Sequence, residues 1–184
     1  MIKVAEGGSQ VTAAVSASVP RLRGMVHVRP AAESDVEAIR EVGRRAWPPT
    51  YGPIAGDAYV ERGLERWWSV EAVLTSIRRG GVFVAEGDGE IVGMASAGQV
   101  DGEPYLWKLY VVPEGQGLGA GSALLAAVVD SLPPGSTRLG LDHVDGNERA
   151  GAFYRAKGFV PIGRKASPLD DGPDEILMEL RLPG

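Results

Sequence analysis

A glycine-dense loop is the part of this sequence whose residues are best suited to chemistry. Four glycines lie between Gly115 and Gly121, after an apolar run at residues 109–112 and before a helix of small residues and leucines. The backbone N–H groups of such a loop, at the positive end of a helix, bind phosphate groups. Glycine is required where a Cβ would block the anion or where φ must be positive. The loop therefore predicts an anion site, and a flexible connector is the alternative.

Three phosphate-binding patterns compete for this loop. The NTPase P-loop ends in Gly-Lys-Ser/Thr, and no lysine follows these glycines. The dinucleotide pattern G-x-G-x-x-G/A is met by residues 115–120, but Pro113-Glu114 separates the strand from the glycines, where a dinucleotide-binding turn is tight. The third pattern is Gln116-x-x-Gly119-x-Gly121 after an apolar strand. It resembles the acetyl-CoA pyrophosphate loop of the GNAT superfamily of N-acetyltransferases.

A second segment, residues 139–159, distinguishes these patterns. It reads as a strand followed by a helix and matches the GNAT pattern N-x-x-A-x-x-F-Y-x-x-x-G-F, whose positions are filled by Asn147, Ala150, Phe153, Tyr154, Gly158 and Phe159. The two motifs have the order and the separation that the family shows. The chain therefore resembles an acetyl-CoA-dependent N-acetyltransferase over about residues 26–182.

The resemblance implies acetyl-CoA as cofactor and a set of residues that contact it. The backbone of residues 109–111 would pair with the pantetheine arm as an added strand does. Asn147 is also a helix N-cap, a role that needs no cofactor. The implied cofactor-binding residues are Leu109, Tyr110, Val111, Gln116, Gly117, Leu118, Gly119, Ala120, Gly121, Ser122, Asn147, Ala150 and Tyr154.

Tyr154 is the predicted catalytic acid. Acyl transfer from a thioester expels a thiolate, and thiols have a pKa of ~8.5 whereas phenols have one of ~10. A nearby phenol can therefore donate a proton or a hydrogen bond as charge develops on sulfur. The family places a tyrosine seven residues after the asparagine, which Tyr154 satisfies relative to Asn147. The alternative is a core aromatic beside Phe153.

The general base and the acceptor site have weaker signals. Asp142, five residues before Asn147, and Glu103, in the turn before the strand of the glycine loop, are the candidate bases. Solvated surface charge is the alternative for both, and water relays can replace a base. Trp47 and Tyr51, in an aromatic-rich break between helices, are the predicted acceptor-binding residues, and core packing is their alternative.

Hydrophobic periodicity predicts the elements that position these residues. Strands are expected at residues 25–29, 82–86, 91–99, 105–112, 137–144, 159–164 and 175–182. Helices are expected from a capping box at Ser34 to the Pro48-Pro49 stop, and at residues 57–66, 70–77, 119–130 and 147–157. Asp88-Gly89 predicts a hairpin.

This order is an antiparallel meander followed by a β-α-β-α-β-β half, whereas a doubly wound dinucleotide-binding sheet alternates strand and helix throughout. The predicted fold class is α/β (α+β), with a mixed, mostly antiparallel sheet of about seven strands and flanking helices. The resemblance to the GNAT fold implies a splay between the strand before the glycine loop and the strand before Asn147.

Composition limits the classes of function. The chain has 184 residues, a net charge of −5, no basic run and no cysteine. We expect no nucleic-acid partner, no membrane span, no metal site and a cytoplasmic location. One domain at residues 25–184, preceded by a loosely ordered arm at residues 1–24, is predicted, and a homodimer is possible.

The predicted function is transfer of an acetyl group from acetyl-CoA to a primary amine, on a small molecule or a peptide, by direct attack in a ternary complex. A non-catalytic acyl-CoA-binding sensor and a dinucleotide-binding oxidoreductase are the alternatives.

Overall fold

The computed structural model describes residues 26–169 and 171–183, so the predicted arm at residues 1–24 lies outside the described part. Its strands are β1 (His27–Pro30), β2 (Val82–Gly87), β3 (Glu90–Val100), β4 (Glu103–Val111), β5 (Arg138–Val144), β6 (Val160–Lys165) and β7 (Glu175–Arg181). Its helices are α1 (Val36–Ala55), α2 (Asp57–Trp67), α3 (Val70–Arg79), α4 (Ala120–Asp130) and α5 (Glu148–Ala156). No helix among these residues is long and apolar enough to cross a membrane.

One seven-stranded sheet has the order β1-β2-β3-β4-β5-β7-β6. Every neighbouring pair is antiparallel except β4 and β5, which confirms the predicted mixed, mostly antiparallel sheet. The β2–β3 hairpin turns at Asp88 and Gly89, with φ values of 51° and 83°. Positive φ at both turn residues matches the twist of the flanking strands, as the Asp-Gly signal predicts.

The sheet splits between β4 and β5. These two strands pair only at Tyr105↔Gly140 and Leu106↔Leu141. Beyond this point β4 remains paired with β3, up to Gly93↔Val111. Among the described residues, the last part of β4 therefore has no strand partner on its β5 side. This is the splay that the resemblance implied.

Helices cover both faces of the sheet around this split. The neighbours Gly93 and Met94 pair with Val111 and Tyr110, so these two pairs lie on opposite faces. On the Val111 face, α4 buries Leu124, whose methyl group would lie 3.2 Å from a Cβ at Gly93. On the Tyr110 face, the helices α1–α3 contribute a cluster of aromatic rings. The core thus has two layers, one on each side of the sheet.

Helix α1 is longer than the sequence predicted. The Pro48-Pro49 stop is wrong, because the helix continues to Ala55 with both prolines inside it. A proline removes a hydrogen bond to the carbonyl four residues before it. Those carbonyls belong to the exposed Arg44 and the half-buried Arg45, where water can replace the lost donors. Burial of Trp47 and Tyr51 on the inner face stabilises the continued helix.

The start of α1 also differs from the predicted capping box. A short 3₁₀ turn at Glu33–Asp35 precedes the helix, and Asp35 replaces Ser34 as the side chain that organises it. Its carboxylate accepts hydrogen bonds from Ala32 N–H at 2.8 Å and from both terminal nitrogens of Arg29 at 2.7 and 3.0 Å. A charged acceptor is stronger than a serine hydroxyl, which explains the preference. The Arg29 pair lowers the pKa of Asp35.

Candidate active site

The split between β4 and β5 opens into a cavity of about 480 Å³, here called the glycine-loop cavity. Both sequence motifs meet there, because β4 and the loop form one wall and β5 and α5 the other. The predicted cofactor-binding residues that line it are Leu109, Tyr110, Val111, Gln116, Gly117, Gly119, Ala120, Gly121, Ser122, Asn147, Ala150 and Tyr154. Leu118 is the exception, since it does not line this cavity and is 38% exposed.

The loop presents bare backbone at the start of α4. Gly117 and Gly119 have φ values of 81° and 82°, and a Cβ at either position would meet no atom within 4 Å. Helix α4 begins at Ala120, and the first amides of a helix have no carbonyl partner within it. Open space, positive φ and unsatisfied N–H groups together form a cradle that suits an anion.

Gln116 contributes differently from the prediction. Its amide N–H donates to Pro113 O at 3.3 Å, and its side-chain Nε2 donates to Val111 O at 3.2 Å. Arg45 of α1 forms an ion pair of 2.7 Å with Glu114 just before it. These two hydrogen bonds of Gln116 fix the loop against β4. The backbone N–H groups available to an anion are therefore those of the residues after Gln116.

Helix α5 forms the opposite wall. Asn147 caps it by accepting a hydrogen bond from Ala150 N–H at 3.2 Å. The Phe153 ring lies 3.5 Å from the position of a Cβ at Gly121, and Leu109 lies 3.6 Å from the same point. This packing sets the distance between the start of α4 and the middle of α5.

Three tyrosines surround the point where the walls meet, of which Tyr51 and Tyr154 are buried and Tyr110 is partly buried. The hydroxyl groups of Tyr51 and Tyr110 are 3.0 Å apart. Tyr154 is 7% exposed, and burial raises its pKa above the ordinary range of a phenol, with smaller contributions from Tyr51 and Asp142. Burial raises the pKa of Tyr51 and Tyr110 as well. All three phenols are therefore neutral hydrogen-bond donors at physiological pH.

A second cavity of about 410 Å³, here called the aromatic cavity, lies on the face covered by α1–α3. Its aromatic lining consists of Trp47, Tyr51, Tyr59, Trp67, Trp107 and Tyr110. It shares Tyr51, Trp107, Lys108, Tyr110, Asp142 and His143 with the glycine-loop cavity. The two cavities thus meet where the strands separate.

Trp47 and Tyr51 lie both in a cavity wall and in the core. Each lines the aromatic cavity, and each is also part of the core, at 4% and 7% exposure. The Trp47 ring contacts Tyr51 edge-on at 4.7 Å between centroids and stacks on Tyr59 at 6.2 Å. The Trp47 indole N–H is buried without a hydrogen-bond partner.

Asp142 belongs to a charged network at the edge of both cavities. Its Oδ2 accepts hydrogen bonds from Tyr105 OH at 2.5 Å and from Lys165 Nζ at 3.0 Å. Lys165 Nζ also lies 3.1 Å from Glu175 Oε2 on the neighbouring strand β7. The Glu175 side chain is only 9% exposed, and burial together with Asp142 raises its pKa to about 7.

The sequence did not identify Glu175. It follows Asp142 by 33 positions and comes near it only through the β5–β7 register, which pairs Val144 with Glu175. No local pattern carries that register. Lys108 was also missed, although a lone charge inside the apolar run of β4 is a visible signal.

Lys108 fastens the helices to the sheet. Its Nζ donates to Trp67 O, the last residue of α2, at 2.6 Å and lies 4.5 Å from the Trp68 ring centroid. A cation at the carboxyl end of a helix is favourable. Burial lowers the pKa of Lys108 to about 8.

Glu103 is not brought to the site. It begins β4, at the opposite end from the glycine loop, and eight residues of strand separate it from Val111 by about 25 Å. It forms an ion pair of 3.0 Å with Arg138, which lowers its pKa, and it lines neither cavity. The parallel start of β4 and β5 explains this pairing.

Comparison with known proteins agrees with this geometry. The sequence profile of the Acetyltransferase (GNAT) family matches residues 36–159. An uncharacterized N-acetyltransferase of Mycobacterium tuberculosis is 33% identical over 138 residues, which are 72% of this chain and 87% of that protein.

Solved structures share the fold. The PaiA N-acetyltransferase of Thermoplasma acidophilum, in complex with coenzyme A, has a TM-score of 0.73 at 23% identity, over 85% of this chain and 99% of that one. A GCN5-related N-acetyltransferase of Rhodopseudomonas palustris has a TM-score of 0.75 at 19% identity, over 86% and 97% of the two chains. This protein belongs to the GNAT acetyltransferase family, whose members are acyltransferases that use acetyl-CoA.

Proposed function

We propose that this protein transfers the acetyl group of acetyl-CoA to a primary amine, by direct attack of the amine on the thioester in a ternary complex. The observation that carries this proposal is the junction of two cavities at the split between β4 and β5. One cavity has the cradle for a phosphate group, and the other provides a separate approach for an acceptor.

The residues of the glycine-loop cavity suit acetyl-CoA. The amides after Gln116 would hold the pyrophosphate, and the Arg149 guanidinium, which lines the same cavity, adds a positive charge. The β5-facing edge of residues 109–111 would pair with the pantetheine amides as an added strand does. A backbone N–H near Val111 would then polarise the acetyl carbonyl.

Tyr154 would serve the leaving group. Tyr154 lines the glycine-loop cavity, and its hydroxyl is protonated over the physiological range. It can donate to the coenzyme A sulfur as the C–S bond breaks. The sequence has no cysteine to carry the acetyl group, so an acetyl-thiol intermediate on the enzyme has no candidate residue. We place the protein in the cytoplasm, whose reducing conditions are compatible with a chain that has no cysteine.

Calorimetric titration of the purified protein with acetyl-CoA, and separately with NADH, tests the cofactor assignment. We expect micromolar binding of acetyl-CoA and no heat of binding with NADH. A folded protein that does not bind acetyl-CoA would refute the proposal, and binding of NADH would favour the dinucleotide alternative.

Turnover, rather than binding, distinguishes an enzyme from the non-catalytic acyl-CoA sensor. An enzyme releases free coenzyme A thiol when acetyl-CoA and a suitable amine are present, whereas a sensor binds acetyl-CoA and leaves it intact. Thiol release measured over a panel of small amines and peptide amino termini distinguishes the two.

A further inference from the structure

The aromatic cavity contains a buried carboxylate that has no role in the proposed binding of acetyl-CoA. Glu175 lines this cavity, its side chain is 9% exposed, and its Oε2 is fully buried without a hydrogen bond of normal geometry. The nearest cation, Lys165 Nζ, is shared with Asp142 at 3.0 Å. Lys165 Nζ thus contacts both carboxylates at once, and Glu175 Oε2 has no hydrogen-bond partner of its own.

Part of the remaining lining of this cavity is aromatic, and the rest includes Arg79, Lys108 and small residues. Trp47, Tyr59 and Trp67 face the space from α1 and α2. Aromatic faces bind apolar skeletons and attract cations. A cavity of about 410 Å³ holds a small molecule. The lining therefore combines an apolar body site with an acidic end, of which Asp142 also lines the glycine-loop cavity.

We propose that the aromatic cavity is the acceptor pocket, that it takes a small primary amine with an apolar or aromatic body, and that Glu175 accepts the proton of the acceptor ammonium group. This inference rests on the proposed acetyl transfer. It adds the class of acceptor and a catalytic residue that the sequence did not identify.

Two protons leave the acceptor nitrogen during the reaction in this pocket. The ammonium nitrogen gives one proton to the Glu175 carboxylate and attacks the thioester carbonyl carbon, forming a C–N bond. The C–S bond then breaks, the nitrogen loses its second proton, and the thiolate takes a proton from the Tyr154 hydroxyl, which that second proton restores. The products are the N-acetyl amine and free coenzyme A, and Glu175 releases one proton to solvent.

The charged and titratable groups around Glu175 set its pH range. Asp142 of β5 and Lys165 of β6 are its direct neighbours, and the phenols Tyr51, Tyr59 and Tyr105 face it from α1, α2 and β4. Lys108, Arg79 and His143 line the same cavity. Burial and Asp142 outweigh Lys165, so the pKa of Glu175 is about 7. A base with this pKa is active at neutral pH.

The first experiment measures binding in protein saturated with coenzyme A. Intrinsic tryptophan fluorescence reports on the pocket through Trp47 and Trp67, and the probes are phenethylamine, tyramine, hexylamine and the charge-reversed analogue hydrocinnamate. We expect the amines to bind at least about tenfold more tightly than hydrocinnamate, and Glu175→Gln to reduce this preference several-fold. Equal binding of amine and carboxylate, or no amine binding, overturns the acceptor class.

The second experiment measures the pH dependence of kcat with the amine of this panel that reacts fastest. In the wild type, log kcat should rise with pH up to about 7 and then level, following Glu175. Glu175→Gln should lower kcat by about 100-fold at neutral pH, as loss of a general base does. Its log kcat should continue to rise with unit slope toward the pKa of the free amine, and Glu175→Asp should restore part of the plateau.

Glu179→Gln is the matched control. Glu179 lies on the same strand, pairs with Arg138 at 3.7 Å and lines neither cavity, so the wild-type profile should persist. An unchanged profile in Glu175→Gln overturns the role of Glu175, even when acetyl-CoA binding and transfer are intact. Failure of acetyl-CoA to bind instead refutes the proposed function itself, and transfer to no amine despite bound acetyl-CoA overturns the acceptor class.

Discussion

At the scale of single residues, the burial of Tyr154 determines what it can do. A phenol whose pKa is raised by burial is a weak acid, but it stays protonated and can donate a hydrogen bond at any physiological pH. In the proposed reaction the same desolvation would disfavour a free thiolate, so the leaving sulfur would need a hydrogen-bond donor. The interaction with Tyr154 would then strengthen as the C–S bond breaks, which is the condition for catalysis rather than for binding.

Replacement of Tyr154 by phenylalanine tests this residue. We expect Tyr154→Phe to lower kcat by about 10- to 100-fold, because the thiolate loses its donor. The Kd for acetyl-CoA should change less than about twofold, since the ring and its packing on Phe159 remain. Steady-state kinetics and calorimetry on the same preparation measure the two quantities. Wild-type turnover in this variant would contradict the role of Tyr154 as an acid.

The sequence predicts single site residues only where they belong to a local pattern. Tyr154 and Asn147 belong to one continuous motif, and both line the glycine-loop cavity as expected. Asp142 was predicted from its position in that motif, and the structure places it at both cavities. Glu103 lies away from both cavities, and Glu175 was missed, for a common reason. Their positions depend on strand register and on which end of the sheet each strand begins, and neither is encoded locally.

At the scale of elements, the sequence predicted whether a segment is a helix or a strand more accurately than it predicted the residues where that segment ends. All seven strands lie within a few residues of their predicted positions, because apolar alternation and turn residues mark them directly. Helix α1 is the main exception. Local propensity ends it at Pro48, whereas burial of Trp47 and Tyr51 against the sheet extends it to Ala55. Packing of this kind involves residues distant in sequence and overrides local propensity.

The loop that opens α4 can be tested as an element with a glycine substitution. Gly119→Glu places a carboxylate in the proposed pyrophosphate cradle, so we expect the affinity for acetyl-CoA to fall by at least about 100-fold, the equivalent of one or two charge-assisted hydrogen bonds. Calorimetric titration measures it, and circular dichroism verifies the fold.

Gly89→Glu is the control for backbone strain. Gly89 has a φ of 83°, against 82° for Gly119, and at both positions a Cβ meets no atom within 4 Å. A residue with a Cβ costs ~1–2 kcal/mol in this conformation, so both variants carry the same penalty. Gly89 lies in the β2–β3 hairpin and lines neither cavity. An equal loss of acetyl-CoA affinity in both variants would mean that the cradle is not the pyrophosphate site.

At the scale of the whole molecule, one break in the sheet produces both cavities. The two strands that part, β4 and β5, carry Lys108 and Asp142 into the gap from its two sides. Helices α4 and α5 close the gap on one face and α1–α3 on the other. The aromatic cluster of α1–α3 therefore stabilises the fold and shapes the aromatic cavity at once. A cost follows, because the same packing buries the Glu175 carboxylate.

Burial of the Glu175 carboxylate predicts how the free energy of unfolding depends on pH. The pKa of Glu175 is raised from 4.5 to about 7, so the folded protein favours the neutral carboxyl group. The stabilisation is fully present below pH ~4.5 and is lost as pH rises through about 7. Glutamine is neutral at every pH and avoids this loss. Glu175→Gln should therefore match the wild type in acid and exceed it above pH ~7, by up to ~3 kcal/mol at ~1.4 kcal/mol per pH unit.

Thermal unfolding of both proteins between pH 4.5 and pH 8.5 measures this difference, and a domain of this size shifts its Tm by about 2–4 °C per kcal/mol. The Tm of Glu175→Gln should rise relative to the wild type by several degrees across this range. The control variant Glu179→Gln should show no such trend, because Glu179 pairs with Arg138, which is half-exposed. A Tm difference that is constant with pH would mean that Glu175 ionises normally in the folded protein. Its role as a base poised at neutral pH would then fail, whatever the acceptor.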